Sequence, residues 1–266
     1  MFESINKAFS RQSEIFDEYE EKNEILQWMR FITHKHLMKY LRKTDKILEL
    51  NSGTGIDAVF LSSKGFRIHC VDISDGMIKK LKEKVDKFNL GNLISYQLLS
   101  FTELYKLNTN SFNHIFSNFG GLNCAPDLDQ IFSQFKKVLN PGGRVTLVIM
   151  PPVCPWEISL IIKGKFKTAF RRFHKGGISA NIEGISFKTY YYSVKDIIKK
   201  LGPNFQILDI QGLASISPPP YMENFPLRYP RLYNKLTSTD GQVSHICPFN
   251  RFADHFIITA ELNPGK

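Results

Sequence analysis

The feature that most constrains the fold is a regular alternation between short apolar runs and segments with helical periodicity. Strands separated by helices need crossover connections, so this alternation predicts a mainly parallel sheet. The motif NPGG at 140–143 ends one helical segment and turns the chain into a strand. The apolar runs that predict strands lie at 46–50, 67–71, 93–97, 112–117 and 143–150, and the helical segments lie at about 57–64, 76–88 and 127–139.

Beyond residue 150 the alternation is interrupted twice. Strand patterns return at 205–210 and 254–262, and no regular crossover helix is predicted between these two runs. A connection without a crossover predicts that the last strand is antiparallel. We therefore predict an α/β fold with a seven-stranded, mainly parallel sheet, an antiparallel last strand and helices on both faces.

The turn after the first strand is where a ligand is expected. In an open α/β sheet, ligands bind beyond the carboxyl ends of the strands near the topological switch point. Gly53 and Gly55 lie in this turn, where glycine permits positive φ and close approach of the backbone, and Asn51 also tolerates the left-handed region. Asp72, at the tip of the second strand, is positioned to accept hydrogen bonds from both hydroxyls of a ribose.

Two cofactor classes fit this turn. The sequence GTGIDA at 53–58 is a G-x-G-x-x-A match with an acid 17 residues beyond Gly55, as in the fingerprint of nicotinamide dinucleotide enzymes. Glu49 and Asp57 argue against it, because negative charge there would repel a pyrophosphate and attract a sulfonium and an ammonium group. An NAD(P)-dependent oxidoreductase is the alternative that this pattern leaves open.

The complete order of motifs resembles the class I S-adenosylmethionine-dependent methyltransferases of the small-molecule type. The resemblance rests on the acid and glycines of LELNSGTG, the acid after the second strand, NPGG before the fifth strand and the antiparallel terminal strand. It implies an enzyme that transfers a methyl group from S-adenosylmethionine to O, N or C of a small, aromatic or lipid-like substrate. A protein that keeps the fold without catalysis and binds RNA or a membrane is a further alternative.

The resemblance also implies the domain organisation and the cofactor site. It implies one domain over 1–266, with an N-terminal helical lid (1–43), a cofactor-binding core (44–150) and substrate-cap insertions (151–190 and 213–252). Around the methionine part of the cofactor it implies Glu49, Asn51, Ser52, Gly53 and Gly55, with Asn118 and its neighbours Phe119 and Gly120 beneath. It implies Asp72 at the ribose, Ile73, Met77, Ser100 and Phe101 around the adenine, Tyr19 with Phe16 as a cover, and Arg30 at the carboxylate.

Two of these positions depart from the family pattern. Asn51 replaces the usual first glycine, and Ser100 stands where the family usually has an aspartate. The second change removes a charge-assisted hydrogen bond, typically worth about 1.5 to 3 kcal/mol. Weaker cofactor binding is the expected consequence. No catalytic residue is identified, and no metal site is expected from the scattered histidines and cysteines.

Positive charge is concentrated in one segment. The net charge is +10, and ten Lys/Arg against two Asp/Glu between Ser159 and Asn204 contribute +8 of it. Ile162, Phe166, Ala169, Phe170 and Phe173 recur at helical spacing with lysines between them, which predicts an amphipathic helix. Our preferred interpretation is a lid helix that buries its aromatic side chains on the substrate cavity. Contact of 159–175 with an anionic substrate or a membrane surface is the second interpretation, and RNA binding is the third.

The remaining observations concern location and partners. The first twenty residues lack a basic region followed by an apolar stretch, and no apolar run approaches the ~18 residues of a spanning helix. The four cysteines show no C-x-x-C spacing, which fits a reducing compartment. We therefore expect a cytoplasmic protein. The loop SNFGG at 117–121 lacks the Asn-Pro-Pro-aromatic pattern of nucleic-acid amino methyltransferases, so nucleic acid is not the expected partner.

Overall fold

The strands of the protein form one large sheet and one small hairpin. The structure is a computed structural model that describes residues 2–108 and 111–263. Its strands are β1 (Lys46–Leu50), β2 (Arg67–Asp72), β3 (Ile94–Leu98), β4 (Phe112–Ser117), β5 (Leu139–Ile149), β6 (Ile178–Ile182), β7 (Ile185–Thr189), β8 (Phe205–Leu213) and β9 (His255–Leu262). Seven strands form the large sheet in the order β3-β2-β1-β4-β5-β9-β8, and β6 pairs with β7.

The topology of the large sheet is the predicted one. The pairs from β3 to β5 are parallel, and β9 is antiparallel to both of its neighbours. The predicted fold class is therefore confirmed, including the antiparallel last strand. The winding reverses at β1, which lies between β2 and β4, so the carboxyl end of β1 is the topological switch point.

Helices cover both faces of the sheet. They are α1 (Phe2–Gln12), α2 (Phe16–Lys22), α3 (Glu24–Tyr40), α4 (Ile56–Ser63), α5 (Asp75–Lys87), α6 (Asp129–Val138), α7 (Pro155–Ser159), α8 (Phe166–Phe170), α9 (Val194–Leu201), α10 (Phe225–Arg228) and α11 (Pro230–Val243). The N-terminal region has three helices, because the side chain of Asn23 accepts hydrogen bonds from the backbone of Ile25 and Leu26 and starts a new helix there. In the described part of the chain, no helix is long and apolar enough to cross a membrane.

The central strands are buried on both faces. Ile115 of β4 packs in a core cluster with Leu147 of β5 and Phe135 of α6. Its neighbour Phe116 points to the other face, into a cluster with Leu61 of α4. Alternate residues thus bury opposite sides of the sheet, as expected for parallel strands covered by helices. The predicted division into lid, core and caps stays a prediction.

A chain of buried hydrogen bonds crosses the sheet. His114 Nε2 lies 2.9 Å from Thr146 Oγ1, and Thr146 Oγ1 lies 2.9 Å from Thr259 Oγ1. His36 Nε2 on α3 lies 2.9 Å from the same Thr259 hydroxyl, and its Nδ1 lies 2.7 Å from Gln211 Oε1. Burial lowers the pKa of His36 to about 4 and that of His114 to about 3. Both imidazoles are therefore neutral in the folded protein at neutral pH.

The first insertion does not contain the expected amphipathic lid helix. Gly164, at φ 69°, ends a 3-10 helix at Leu160–Lys163, and α8 begins only at Phe166. Ile162, Phe166, Phe170 and Phe173 are 90, 57, 51 and 47% exposed. The preferred interpretation, that this segment buries its aromatic side chains on the cavity, is therefore wrong. The physical reason is that Ala169 and Arg172 anchor the segment, and both are buried.

The second half of this insertion forms a hairpin that was not expected. β6 and β7 are antiparallel and are joined by a turn at Glu183 and Gly184, both with positive φ. Apolar side chains of the hairpin pack with Ile5 and Ala8 of α1. The hairpin and the N-terminal helix together close one side of the space above the sheet.

Candidate functional site

A cavity of about 470 Å³ lies at the switch point of the sheet. Its wall is formed by the ends of β1, β2 and β4, by the N-terminal helices and by the hairpin of the first insertion. Eleven predicted cofactor residues lie in this wall: Tyr19, Arg30, Asn51, Ser52, Gly53, Asp72, Ile73, Met77, Ser100, Phe101 and Asn118. Glu49 and Gly55 are not brought to it.

Asp72 is held at the end of β2 by two hydrogen bonds, and its carboxylate can accept more. Its Oδ2 accepts from the backbone N–H of Gly53 at 2.9 Å, and its Oδ1 accepts from that of Ser74 at 2.8 Å. An ionised carboxylate has about four acceptor positions, so each oxygen retains one. Burial raises the pKa of Asp72, and the two backbone hydrogen bonds oppose this shift. Further donors from a ligand would stabilise the charged form.

The turn after β1 brings polar backbone and side-chain groups to the cavity. Asn51 and Gly53 adopt positive φ values of 46° and 55°. Ser52 Oγ is buried without a hydrogen-bond partner among the described residues. Gly55, in contrast, faces the interior, since a Cβ there would lie 2.3 Å from Leu81 Cδ1. Gly55 is thus needed for the packing of α4 against α5.

The Asn51 side chain bridges the turn to the loop after β4. Its Nδ2 donates to the backbone oxygen of Asn118 at 3.0 Å, and its Oδ1 accepts from Ser117 Oγ at 2.6 Å. A Cβ on Gly121 would lie 2.2 Å from Asn51 Cγ. The departure from the family's glycine at position 51 is therefore accommodated by a glycine at position 121.

The carboxylate of Asp57, in the first turn of α4, is already paired within the protein. Arg30 Nη1 lies 2.6 Å from Asp57 Oδ1 and its Nη2 lies 2.8 Å from Glu20 Oε2, while His34 Nε2 lies 2.6 Å from Asp57 Oδ1. Burial disfavours the charged form of Asp57, but Arg30 and His34 outweigh it and lower its pKa. Asp57 therefore carries the expected negative charge, but this charge is already paired with Arg30, whose guanidinium Glu20 shares.

Glu49 lies behind the cavity wall. It is 1% exposed, and Cys70 Sγ donates to its Oε2 at 3.6 Å. Burial, followed by the nearby charge of Asp57, raises the pKa of Glu49 well above its ordinary value. The expected attraction of a sulfonium group by Glu49 is therefore not supported, since the neutral form is favoured.

The first residue of β9, His255, also brings a polar side chain to the cavity. His255 lies in the wall, and its Nδ1 is 2.9 Å from Asp254 Oδ2. No hydrogen bond joins its Nε2 to another residue in 2–108 or 111–263. Its ring meets Phe119 edge-on with centroids 6.1 Å apart. Nε2 is thus the ring nitrogen without a hydrogen-bond partner among the described residues, in a side chain that lines the cavity.

Arg172 holds Asp254 from the other side. Its Nη2 lies 2.6 Å from Asp254 Oδ1 and 2.8 Å from Glu157 Oε1. Burial raises the pKa of Asp254, but its interactions with His255 and Arg172 outweigh burial and lower this pKa. Asp254 therefore stays ionised and fixes the orientation of His255.

The same cluster has the composition of a metal site but contains a guanidinium group. Cys154, Glu157 and Asp254 bring three potential ligand atoms within 4.8 Å of one another. Arg172 donates to both carboxylates of this group. The cluster is thus accounted for by an ion-pair network.

Sequence reasoning missed several wall residues. These are Phe2, Ile5, Phe9 and Gln12 of α1, Glu20 of α2, Leu26 of α3, Ile56 of α4, Ala180, Ile182, Phe187 and Thr189 of the hairpin, and Gly121, Cys124, Met150, Arg171, Tyr191, Pro220 and His255. A signal existed for His255, because the first residue of an antiparallel strand lies at the same edge as the last residues of its parallel neighbours, and for the hairpin, whose apolar residues alternate around a glycine turn. Most of the missed residues are apolar, so the cavity combines a polar end with an apolar wall.

The chain is similar to known proteins over a region that includes the strand ends in this cavity wall. Residues 47–143 match the family described as "Methyltransferase domain". An uncharacterised protein of Methanocaldococcus jannaschii is 28% identical over 185 residues, which are 66% of this chain and 68% of that protein. A demethylmenaquinone methyltransferase of Leptospira interrogans is 26% identical over 149 residues, which are 52% of this chain and 57% of that enzyme. The match thus spans little more than half of that relative's length.

One solved structure shares the fold over nearly the whole chain. It is the 1,6-didemethyltoxoflavin-N1-methyltransferase of Burkholderia thailandensis, with bound 1,6-didemethyltoxoflavin and S-adenosylhomocysteine. The TM-score is 0.59 at 14% identity, and the alignment covers 98% of this chain and 88% of that one. At this identity the similarity establishes a common fold.

Proposed function

We propose that this chain, a class I S-adenosylmethionine-dependent methyltransferase by its matched domain and its fold, methylates a small apolar acceptor with an acidic hydroxyl group. The observation that carries the proposal is one cavity lined by both Asp72 and His255. Asp72 has the properties of a ribose ligand, and His255 has those of a proton acceptor. The apolar wall between them suits an aromatic or lipid-like molecule.

The residues in the wall fit S-adenosylmethionine. We assign the ribose hydroxyls to the remaining acceptor positions of Asp72, and the adenine to the surroundings of Ile73, Met77, Ser100 and Phe101. Ser52 Oγ, buried without a partner, suits the methionine part beside Asn51, Gly53 and Asn118. Tyr19 lies in the wall as a cover. Arg30 is already paired with Glu20 and Asp57, so a carboxylate of the cofactor would share it with them.

Ser100 has a defined local role that limits its part in binding. Its Oγ accepts from the backbone N–H of Thr102 at 3.2 Å and lies 2.8 Å from Thr102 Oγ1. A hydroxyl offers one donor and two acceptor positions, so little capacity remains for adenine. We therefore propose that the adenine is held mainly by apolar contacts with Ile73 and Met77.

His255 is proposed to take a proton from the acceptor. We assign the ring proton to Nδ1, where the ionised Asp254 accepts it at 2.9 Å, and this assignment leaves the Nε2 lone pair available to an acceptor in the cavity. When the acceptor hydroxyl transfers its proton to Nε2, its oxygen or a conjugated ring carbon becomes more nucleophilic. The cofactor, when bound, supplies an activated methyl group on a positively charged sulfur. The protein's other contributions are orientation and exclusion of water.

The name of the Leptospira relative suggests the class of acceptor. Demethylmenaquinone in its reduced form is a lipid-soluble naphthalene with two phenolic hydroxyls, which matches an apolar cavity with one basic nitrogen. We propose a hydroxylated, fused-ring acceptor of this kind. We also propose that the enzyme is cytoplasmic.

Cofactor binding is tested by isothermal titration calorimetry with S-adenosylhomocysteine. We expect a micromolar dissociation constant for the wild type and at least ~10-fold weaker binding by Asp72→Asn, because hydrogen bonds to a charged group contribute roughly 1.5–3 kcal/mol. Asp75→Asn, an exposed acid three positions further on, is the control and should bind normally. No heat of binding at millimolar ligand would refute the assignment.

The reaction is tested by mass spectrometry. The protein is incubated with S-adenosylmethionine and 1,4-dihydroxynaphthalene under reducing conditions, and a mass gain of one methyl group is expected. 1,4-Dimethoxynaphthalene, which has no proton to give to His255, is the matched control and should remain unchanged. Equal methylation of both compounds would contradict the role of the acidic hydroxyl.

A further inference from the structure

The strongest unassigned feature is an exposed surface of the first insertion with apolar and cationic side chains side by side. We define the insertion patch as Ile162, Lys163, Lys165, Phe166, Lys167, Phe170, Phe173 and Lys175. Its four apolar side chains are between 47 and 90% exposed. Large apolar groups that stay this accessible next to one another are unusual on a monomer and point to a binding surface.

The cationic part of the insertion patch is unpaired. The four lysines are exposed, and none forms an ion pair within the described ranges 2–108 and 111–263. Arg171 and Arg172, in contrast, are held by Glu157 and Asp254. No Asp or Glu occurs between residues 158 and 182. The surface therefore offers uncompensated positive charge from flexible side chains, which complements an anionic partner.

A second insertion extends this surface. Trp156 of α7 meets Phe225 of α10 edge-on with ring centroids 5.8 Å apart. Near this contact, Leu227 is 81% exposed and Tyr229 and Leu232 are 44 and 47% exposed. Arg228 and Arg231 lie beside them and are exposed. Two segments that are far apart in sequence and whose neighbours Trp156 and Phe225 are in contact thus both expose apolar and cationic side chains.

A neighbour of each segment lies in the cavity wall. Arg171 of the first segment and Pro220, which precedes the second, line the cavity. A partner bound at the insertion patch would therefore lie close to the place where an acceptor enters. This proximity has a functional consequence when the partner bound at the insertion patch is also the source of the acceptor.

We propose that the insertion patch docks on the surface of an anionic lipid bilayer. Half-exposed phenylalanines and an isoleucine insert at the headgroup boundary, and lysines attract acidic headgroups, which is the division of roles in interfacial helices. This deepens the proposed function and rests on it, because a lipid-soluble acceptor dissolved in the bilayer would reach the cavity without crossing water.

The chemistry favours lipid over nucleic acid. A stacking platform for bases usually combines aromatic rings with arginines. The insertion patch combines phenylalanine and isoleucine with lysine, and the two arginines of the segment are engaged internally. An aliphatic residue that is 90% exposed gains free energy in an acyl environment and none from stacking.

The test is sedimentation of the full chain with extruded vesicles of phosphatidylcholine containing 30 mol% phosphatidylglycerol. We expect binding to these vesicles, little binding to pure phosphatidylcholine, and weaker binding at 0.5 M NaCl, because salt screens the attraction. Replacing Lys163, Lys165 and Lys167 by Gln should weaken partitioning by up to about 100-fold, since each lysine contributes roughly a fivefold factor.

Matched controls separate the insertion patch from general surface charge and hydrophobicity. Replacing Lys82, Lys136 and Lys137, which are also exposed, by Gln should leave binding within about twofold. Phe166→Ser with Phe170→Ser should release the protein, whereas Phe31→Ser with Phe88→Ser at exposed sites elsewhere should not.

The possible outcomes each decide the proposal. Vesicle binding that both patch variants abolish supports it. No binding to the anionic vesicles, equal loss in the control variants, preferential binding of a single-stranded RNA oligonucleotide, or burial of the patch in a dimer would each overturn it. S-adenosylhomocysteine binding by calorimetry is measured in parallel on the same variants. Normal titration with lost vesicle binding would show that the docking surface, and not the cofactor site, has been changed.

Discussion

His255 Nδ1 lies 2.9 Å from Asp254 Oδ2, and His255 is the only residue of β9 in the described cavity wall. Arg172 holds this pair in position, because its guanidinium forms ion pairs with both Asp254 and Glu157. A histidine whose second nitrogen faces an apolar cavity has the geometry of a general base.

Replacing His255 should remove catalysis and keep cofactor binding. We expect His255→Gln to lower kcat with 1,4-dihydroxynaphthalene by about 10²- to 10⁴-fold, the usual contribution of a positioned acid or base. The dissociation constant of S-adenosylhomocysteine should change by less than about twofold, because His255 is assigned to the acceptor. His245→Gln, a partly exposed histidine, is the control. Equal losses of binding and turnover would indicate a structural role instead.

Replacing Arg172 should destabilise the protein strongly. Arg172→Met leaves Asp254 buried without its guanidinium partner and leaves Glu157 with Arg171 alone, and the loss of one partner of a buried ion pair costs about 3–5 kcal/mol. Urea denaturation measures the change. Lys200→Met removes an ion pair with Asp129, which is 64% exposed, and should cost less than ~1 kcal/mol. A similar loss in both variants would contradict the described network.

Gly121 and Asn51 should behave as a coupled pair. Gly121→Ala should destabilise by about 1–3 kcal/mol, because the added methyl group displaces a side chain held by two hydrogen bonds. The second substitution Asn51→Gly should recover part of this loss, which a double-mutant cycle detects. Gly91→Ala, where the added Cβ meets nothing within 4 Å, is the control. Additive effects of the two substitutions would disprove the steric coupling.

Stability should decline on acidification below the ordinary imidazole pKa. Unfolded imidazoles take up protons near pH 6.5, whereas His36 and His114 do so in the folded state only near pH 4 and 3. The unfolded state therefore binds about two more protons between these values, and the free energy of unfolding should fall by about 2.7 kcal/mol per pH unit from them. Their contribution is complete above pH 6.5 and is lost as the pH falls.

The share of each histidine can be separated by substitution. His36→Gln should reduce the slope of the unfolding free energy between pH 6 and 4.5 by up to about 1.4 kcal/mol per pH unit, since one imidazole with a lowered pKa is removed. His174→Gln, at an exposed position, should not reduce it. Chemical denaturation at a series of pH values gives the slopes. An unchanged slope in His36→Gln would mean that this imidazole is not the source.

Local patterns in the sequence were sufficient for the sheet and for the polar end of the cavity. The apolar runs and the turn with Gly53 are short-range features, and Asp72 follows from its place at the end of a strand. The roles of Glu49 and Asp57 could not be predicted in this way. Their charge states depend on burial and on Arg30, which comes from a helix on the other side of the turn.

The insertions were least predictable because long-range contacts decide them. Helical spacing placed Phe166 and Phe170 on one face, but nothing in the sequence said whether that face is covered. Arg172 is anchored by Asp254, 82 residues further along the chain. Such a long-range contact leaves no local pattern in the sequence from which it could be predicted. The hairpin at 178–189 did have a signal, namely alternating apolar residues around a glycine turn, and this signal was overlooked.

The hydroxyls of Thr146 and Thr259 face each other in the alignment of β5 with β9. Sliding β9 by one residue would turn Thr259 to the opposite face and leave two buried imidazoles without their acceptor or donor. An error in the register of β9 thus costs free energy in two ways. It moves apolar side chains out of the core, and it leaves buried polar groups without hydrogen-bond partners. The hydrogen bond between Thr146 and Thr259 therefore favours the native register of β9, a strand that follows its neighbour β5 by more than 100 residues in the chain.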